Sequence, residues 1–300
     1  MNIIETEGLT KSFGNTTAVD DVSLHVKEGE IYGFLGLNGA GKTTTIRLLL
    51  GLIKGNQGKC ILFGKHPRKT PMNKIGYLIE TPHSYPNLSV RENLEVILRL
   101  RGMTDKSAID RIIERLKLGA YSDRKEKNLS LGNKQRLGIA KALIHEPELL
   151  ILDEPINGLD PAGIVEVREL LLELAHKKGT TIFLSSHILS EIAKLTSRIG
   201  IIHEGRLIKE INNTDLPNQI IRKLQVSTNN NQEAIKLLIK HGYSAELDDE
   251  IINIADNNVF EHPENITSLL SANGFPPKLI VVFEEDLEHY FLRLLNEYES

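Results

Sequence analysis

Short apolar runs alternate with helix-period segments over the first two thirds of the chain. Residues 3–9, 22–26 and 31–35 read as strands, and the third runs into the glycine-rich stretch 36–41. A helix is expected from Lys42 to about Leu50, with Gly51 as its stop. Residues 59–63 and 75–79 read as further strands. From Ser89 to about His145 the period lengthens. Ser89 and Glu92 form a capping box, and Leu94, Ile97, Leu98 and Met103 carry its stripe onward. Ile109, Ile112, Ile113 and Leu116 make a second amphipathic helix, and Leu137, Ala140, Leu143 and Ile144 a third. Strands return at 149–152, 181–185, 199–203 and 206–211. Between the first two of these, Asp160 and Pro161 open a helix that Gly179 closes. The pattern predicts an α/β layer over 1–212 with a helical insertion at about 85–147.

Residues 212–218 read as a linker, and a different order follows it over 213–300. Strand 220–227, helix 231–241, hairpin strands 244–248 and 251–255, helix 263–273 and strand 279–284 give β-α-β-β-α-β, the ferredoxin-like arrangement. A last amphipathic helix carries Leu287, Tyr290, Phe291, Leu294 and Tyr298 on one face.

Composition narrows the class. Three hundred residues with 40% hydrophobic and 25% charged positions describe a globular chain of about two domains. The apolar runs fall well short of the roughly 18 residues a spanning helix needs. The first eleven residues lack a basic-then-apolar signal pattern, which argues against secretion. One cysteine, Cys60, excludes an internal disulfide, and a net charge of −4 gives no reason to expect nucleic acid.

Two stretches carry chemistry. Residues 36–43, Gly-Leu-Asn-Gly-Ala-Gly-Lys-Thr, match the phosphate-loop pattern between a strand and a helix. Glycines let backbone N–H groups converge on phosphate, Lys42 adds a full charge, and Thr43 offers a hydroxyl to Mg²⁺. Asp153 and Glu154 end the apolar run 149–152, and ionised carboxylates there need a cation or water to use them. Asp153 then suits Mg²⁺ binding and Glu154 the polarising of an attacking water.

Between these stretches stands Asn-Leu-Ser-Leu-Gly-Asn-Lys-Gln-Arg-Leu at 128–137. With it the chain resembles the ATP-binding cassette (ABC) ATPases over about residues 2–212. Asn157-Gly158-Leu159-Asp160 looks like their D-loop, Ser186-His187 like their switch histidine, and 11–14 like their A-loop, whose aromatic residue, here Phe13, stacks on adenine. The resemblance implies a P-loop ABC fold, a mixed α/β core with an N-terminal antiparallel β part, and two cassettes, expected as a homodimer, that sandwich ATP head to tail. Gly36, Asn38, Gly39, Gly41, Lys42, Thr43 and Thr44 would bind ATP in one subunit, and Ser130 and Gly132 would reach it from the other. His187 would join Glu154 in catalysis, Asp160 would lie on the dimer seam, and Thr43, Asp153 and Glu80 would hold Mg²⁺. The sequence departs from the family pattern at Leu131 and Asn133 in the signature, and at Glu80, where Gln is usual. Tyr-Leu-Ile-Glu at 77–80 and Ser-Leu-Gly-Asn-Lys-Gln-Arg at 130–136 are similar to the ATPase subunits of bacitracin-type and lantibiotic-immunity exporters. Their membrane permease is a separate polypeptide, so the expected place is the cytoplasmic face of the membrane. Tyr85 and Leu88, in the proline-containing loop 81–88, are expected to meet that permease. The competing expectations are a non-transport ABC protein acting on ribosome or nucleic acid, and a module that binds ATP without needing hydrolysis.

Overall fold

The computed structural model describes residues 1–256 and 258–299; Asn257 and Ser300 lie outside the described residues. The chain divides into two compact units, Met1–Asp215 and the remainder from Leu216.

The first unit begins with strands β1 (Asn2–Phe13), β2 (Thr16–Lys27) and β3 (Ile31–Leu35), then helix α1 (Lys42–Leu49) and strands β4 (Gln57–Leu62) and β5 (Ile75–Leu78). The helical insertion holds α2 (Val90–Leu100), α3 (Ser107–Arg115) and α4 (Leu131–Leu143). It continues with β6 (Leu149–Leu152), α5 (Pro161–Lys178), β7 (Thr181–Ser186), α6 (Leu189–Ala193), β8 (Arg198–His203) and β9 (Arg206–Asn212).

β1 extends well past the expected 3–9. Lys11, Ser12 and Phe13 still pair with Val19, Thr17 and Thr16 of β2 around a turn at Gly14, whose φ is 57°. Lys11, Ser12 and Phe13 are not buried, so the apolar alternation that marks a strand in the sequence fades before the backbone pairing does. The segment expected as a linker is a 3-10 helix, Asn213–Gln219, with Leu216 buried.

Two sheets face each other across α1. The antiparallel sheet runs β2-β1-β4, and the six-stranded sheet runs β5-β6-β7-β3-β8-β9 with only β9 antiparallel. One apolar core joins them, with Ile4 and Leu24 from the first sheet, Phe34, Ile151 and Phe183 from the second, and Ile46 and Leu49 of α1 between. Full burial of each such side chain is worth roughly 1.5–3 kcal/mol. Its aromatic content is small: Tyr32 and Phe183 stack at 5.6 Å, and the Tyr32 hydroxyl donates to Glu210 at 2.8 Å.

The second unit contains β10 (Arg222–Ser227), α7 (Asn231–Lys240), β11 (Ala245–Asp248), β12 (Ile251–Ile254), α8 (Asn258–Glu261), α9 (Pro263–Ala272), β13 (Leu279–Glu284) and α10 (Leu287–Glu299). Its sheet runs β11-β12-β10-β13, antiparallel throughout. Leu224, Val226, Ile252 and Ile254 pack on Leu238, Ile266 and Leu270 of the helices. α8 is one turn that the sequence pattern does not reveal, because four residues are too few to display a period.

Candidate functional site

Strands β6, β7 and β3 are parallel neighbours, so their C-terminal ends open onto one edge. There the chain delivers the 36–41 loop after β3, Asp153 and Glu154 after β6, and His187 after β7. The loop is tied to this edge by Gly36 N–H donating to Ser186 O at 3.1 Å. Gly39 and Gly41 hold φ of 84° and 104°, the left-handed region that side chains rarely tolerate. A Cβ on Gly39 would meet nothing within 4 Å, so the loop's outer side is open. α1 starts at Lys42 with no side-chain cap and no acidic residue in its first turn. Its first N–H groups are thus donors toward that open side, which suits phosphate.

The Lys42 side chain is buried. Its Nζ donates to Gly36 O at 2.6 Å and Leu37 O at 3.2 Å, and pairs with Glu154 Oε1 at 3.2 Å. The other oxygen of Glu154, Oε2, lies 2.9 Å from His187 Nδ1. Glu154 therefore bridges a cation and an imidazole, at a φ of 49°, a backbone state costing on the order of 1 kcal/mol. Asp153 is 1% exposed and accepts from two hydroxyls: Ser185 Oγ at 2.5 Å and Thr43 Oγ1 at 2.6 Å. Charge-assisted bonds of this length offset the burial of its charge. Ser185 Oγ also accepts from Glu154 N–H at 3.0 Å, so one hydroxyl orients both acids. Among the described residues no cluster of three His, Cys, Asp or Glu side chains is placed to hold a metal. The Thr43–Asp153 oxygens match a hard cation that takes its remaining ligands from substrate and water, as Mg²⁺ does.

Lys42, Thr43, Asp153, Glu154 and His187 thus converge. Thr44 is half-buried in the first turn of α1, and Asn38 is exposed in the loop. Phe13 is 51% exposed, with Lys11 Nζ 4.9 Å from its ring centroid. Ser130 is the N-cap of α4, its Oγ accepting from Asn133 N–H, and Asp160 caps α5 by accepting from Gly163 N–H. Gly132 lies against the D-loop: a Cβ there would stand 3.2 Å from Gly158 O. Leu131 covers Gly158, where an added Cβ would be 2.7 Å from Leu131 Cγ. The Glu80 carboxylate pairs with Arg47 of α1 at 2.8 Å.

Sequence reasoning passed over three contributors. Ser185 reads as the end of a strand, Arg47 falls unremarked inside the helix expected from Lys42, and Gln135 stands in the signature string. Gln135 is buried and donates from Nε2 to Glu154 O and Pro155 O, both at 3.0 Å.

The ABC transporter family model matches residues 19–157. Over 98% of this chain and 97% of the relative, 43% of positions are identical to the bacitracin transport ATP-binding protein BcrA of Bacillus licheniformis. The lantibiotic transport ATP-binding protein SrtF of Streptococcus pyogenes is 43% identical over 69% of this chain and 90% of its own. Among solved structures, the dimeric MJ0796, a bacterial ABC transporter cassette, superposes with a TM-score of 0.64 at 26% identity, covering 70% of this chain and 98% of that one.

Proposed function

This chain belongs to the ABC transporter family of ATP-binding proteins, and on that premise we propose that it drives export of an antimicrobial peptide of bacitracin or lantibiotic type through a separate membrane-spanning subunit. It is an ATP-hydrolysing subunit of a transporter. The cargo reading rests on the names that BcrA and SrtF carry. No helix among the described residues is long and apolar enough to cross a membrane, which accords with a permease encoded elsewhere and a peripheral position on the cytoplasmic face.

One observation carries the mechanism: Glu154 lies between Lys42 and His187, beside the Thr43–Asp153 pair. The 36–43 loop and the start of α1 bind the β- and γ-phosphates through N–H groups and the Lys42 ammonium. Thr43 and Asp153 would hold Mg²⁺, which supplies charge neutralisation for the phosphates. Glu154 accepts hydrogen bonding from the attacking water and draws its proton toward Oε1 or Oε2. His187 keeps that carboxylate aimed and reaches the γ-phosphate edge. Phe13 offers an exposed aromatic face to the adenine. Ser130 and Gly132, at the N-terminal end of α4, contact the γ-phosphate bound to a second copy, a pairing of which the similar MJ0796 cassette offers a dimeric example. Asp160 lies along the same seam.

The permease contact falls on the 81–88 loop. Tyr85 is 57% exposed there, with Leu88 half-buried beside it. Buried Asn93 of α2 holds the loop, accepting from Tyr85 N–H at 2.8 Å and donating to Tyr85 O, Leu88 O and Ser89 O. A preformed, clamped loop is suited to docking.

The test is purification of the tagged chain from detergent-solubilised membranes. A multi-spanning protein in stoichiometric amount, with ATPase activity abolished by Glu154→Gln, is the expected result. Recovery with ribosomal proteins, or alone, overturns the transport reading.

A further inference from the structure

β13 is an edge strand, paired with β10 on one side only. Its centre is apolar without interruption, Leu-Ile-Val-Val-Phe at 279–283, and Leu279, Val281, Val282 and Phe283 are each 40–44% exposed. The opposite edge of the same sheet, β11, carries Glu246 and Asp248, both exposed. Charge on an edge strand is the usual guard against pairing with another chain. One edge of this sheet is guarded and the other is open.

We propose that β13 is a self-association strand, pairing antiparallel with β13 of a second copy of this chain to make one continuous eight-stranded sheet from two four-stranded ones.

The register follows from residues already described. Glu285 N–H donates to Ile221 O at 2.9 Å, which sets the alternation of the β10–β13 ladder. Val281 and Phe283 turn their backbone groups inward to β10, and Ile280, Val282 and Glu284 turn theirs to the open edge. A two-fold axis at Val281 then brings Ile280 opposite Val282 of the second copy as a hydrogen-bonded pair. Val281 meets Val281 in a non-hydrogen-bonded pair, where side chains approach most closely. Leu279 meets Phe283, and Lys278, just outside the strand, meets Glu284. Every apolar residue thus faces an apolar one and each end closes with opposite charges, pairings that each contribute roughly 0.2–1 kcal/mol. Moving the axis to Ile280 puts Lys278 opposite Val282, and moving it to Val282 puts Glu284 opposite Ile280. Only the axis at Val281 is self-complementary, as an isologous contact requires. This contact belongs to the C-terminal unit and is separate from ATP-dependent pairing of the cassettes.

The test uses the full-length chain with Cys60, whose thiol burial pushes up to about 12, replaced by Ser. Val281→Cys and Val282→Cys are compared under mild oxidation, with and without ATP. Val281→Cys should give a disulfide-linked dimer in several-fold higher yield than Val282→Cys, already without nucleotide. Equal yields at the two positions, or no dimer at 281 in either condition, overturn the proposal. In parallel, Val281→Lys introduces the missing edge charge at an exposed position. It should weaken nucleotide-free association at least about tenfold in sedimentation, and an unchanged constant counts against the strand. ATP-driven dimerisation of Glu154→Gln should survive Val281→Lys. Its absence in both backgrounds would implicate the cassette reading, not β13.

Discussion

Glu154 Oε2 stands 2.9 Å from His187 Nδ1, while the other oxygen of the same carboxylate pairs with Lys42 at 3.2 Å. A carboxylate held from both sides is a base with a fixed direction. Glu154→Gln keeps the shape and removes the basicity. ATP turnover should fall by about 10²–10⁴-fold, with ATP binding retained and an ATP-bound dimer accumulating. Steady-state phosphate release and size-exclusion chromatography with ATP measure the two effects. Turnover within a factor of about two of the parent would remove Glu154 as the base.

Phe13 is half exposed at the end of β1, so its truncation should leave the core intact. Phe13→Ala is expected to raise the KM for ATP about 5–20-fold, the worth of one base–aromatic stack, with kcat nearly unchanged. A thermal melt without nucleotide should move little. A large loss of melting temperature would assign Phe13 to packing instead.

Leu131 and Gly158 touch across the signature and the D-loop. Gly158 has a φ of 75°, and a Cβ there would lie 2.7 Å from Leu131 Cγ. Gly158→Ala should destabilise the protein by about 1–2 kcal/mol, combining backbone strain with crowding. Adding Leu131→Ala should recover the crowding part only. A double-mutant cycle in denaturant reads the coupling, and strictly additive changes would mean that the two side chains do not meet.

His145 Nε2–H donates to Ile75 O at 3.0 Å, and Nδ1 is buried. Burial first, and the positive charge of Arg101 second, pull the imidazole down to about 4. In the unfolded chain it titrates near 6.5. Between these values the unfolded state binds a proton that the folded state refuses, so stability falls as pH drops from about 6.5 toward 4. Allowing for solvent around the partly exposed ring, the loss is about 1–2 kcal/mol. His145→Gln can keep the bond to Ile75 O without titrating. Urea midpoints at pH 7 and pH 4.5 should therefore converge more closely for this variant than for the parent.

How much was legible in the sequence depends on how far apart the interacting residues lie along it. The 36–43 loop, the Asp153–Glu154 pair and the capping box at Ser89 are contained in a few consecutive residues, and local chemistry announces each. Ser185 acquires its role only because β7 lies between β6 and β3, a strand order that no short window contains. Gln135 is visible as a letter in the signature, yet its acceptors are carbonyls of a turn twenty residues on. The Glu80–Arg47 ion pair is hidden for the same reason, because its partners lie 33 positions apart. In the second unit α7 and α9 were readable from their amphipathic period and β13 from its apolar run, while the one-turn α8 was not; the bare edge of β13 was not readable either, because an edge is a property of the whole sheet.

α4 is gripped at both ends. Lys141 near its C-terminus donates to His83 O and to Ser84 Oγ in the 81–88 loop, and Gln135 near its N-terminus holds the carbonyls of Glu154 and Pro155. The helix is therefore a shared support, with the 81–88 loop hydrogen-bonded near one end and the turn carrying Glu154 near the other. The spacing between that loop and the carboxylate is set by one regular element and not by the irregular chain that separates them in sequence.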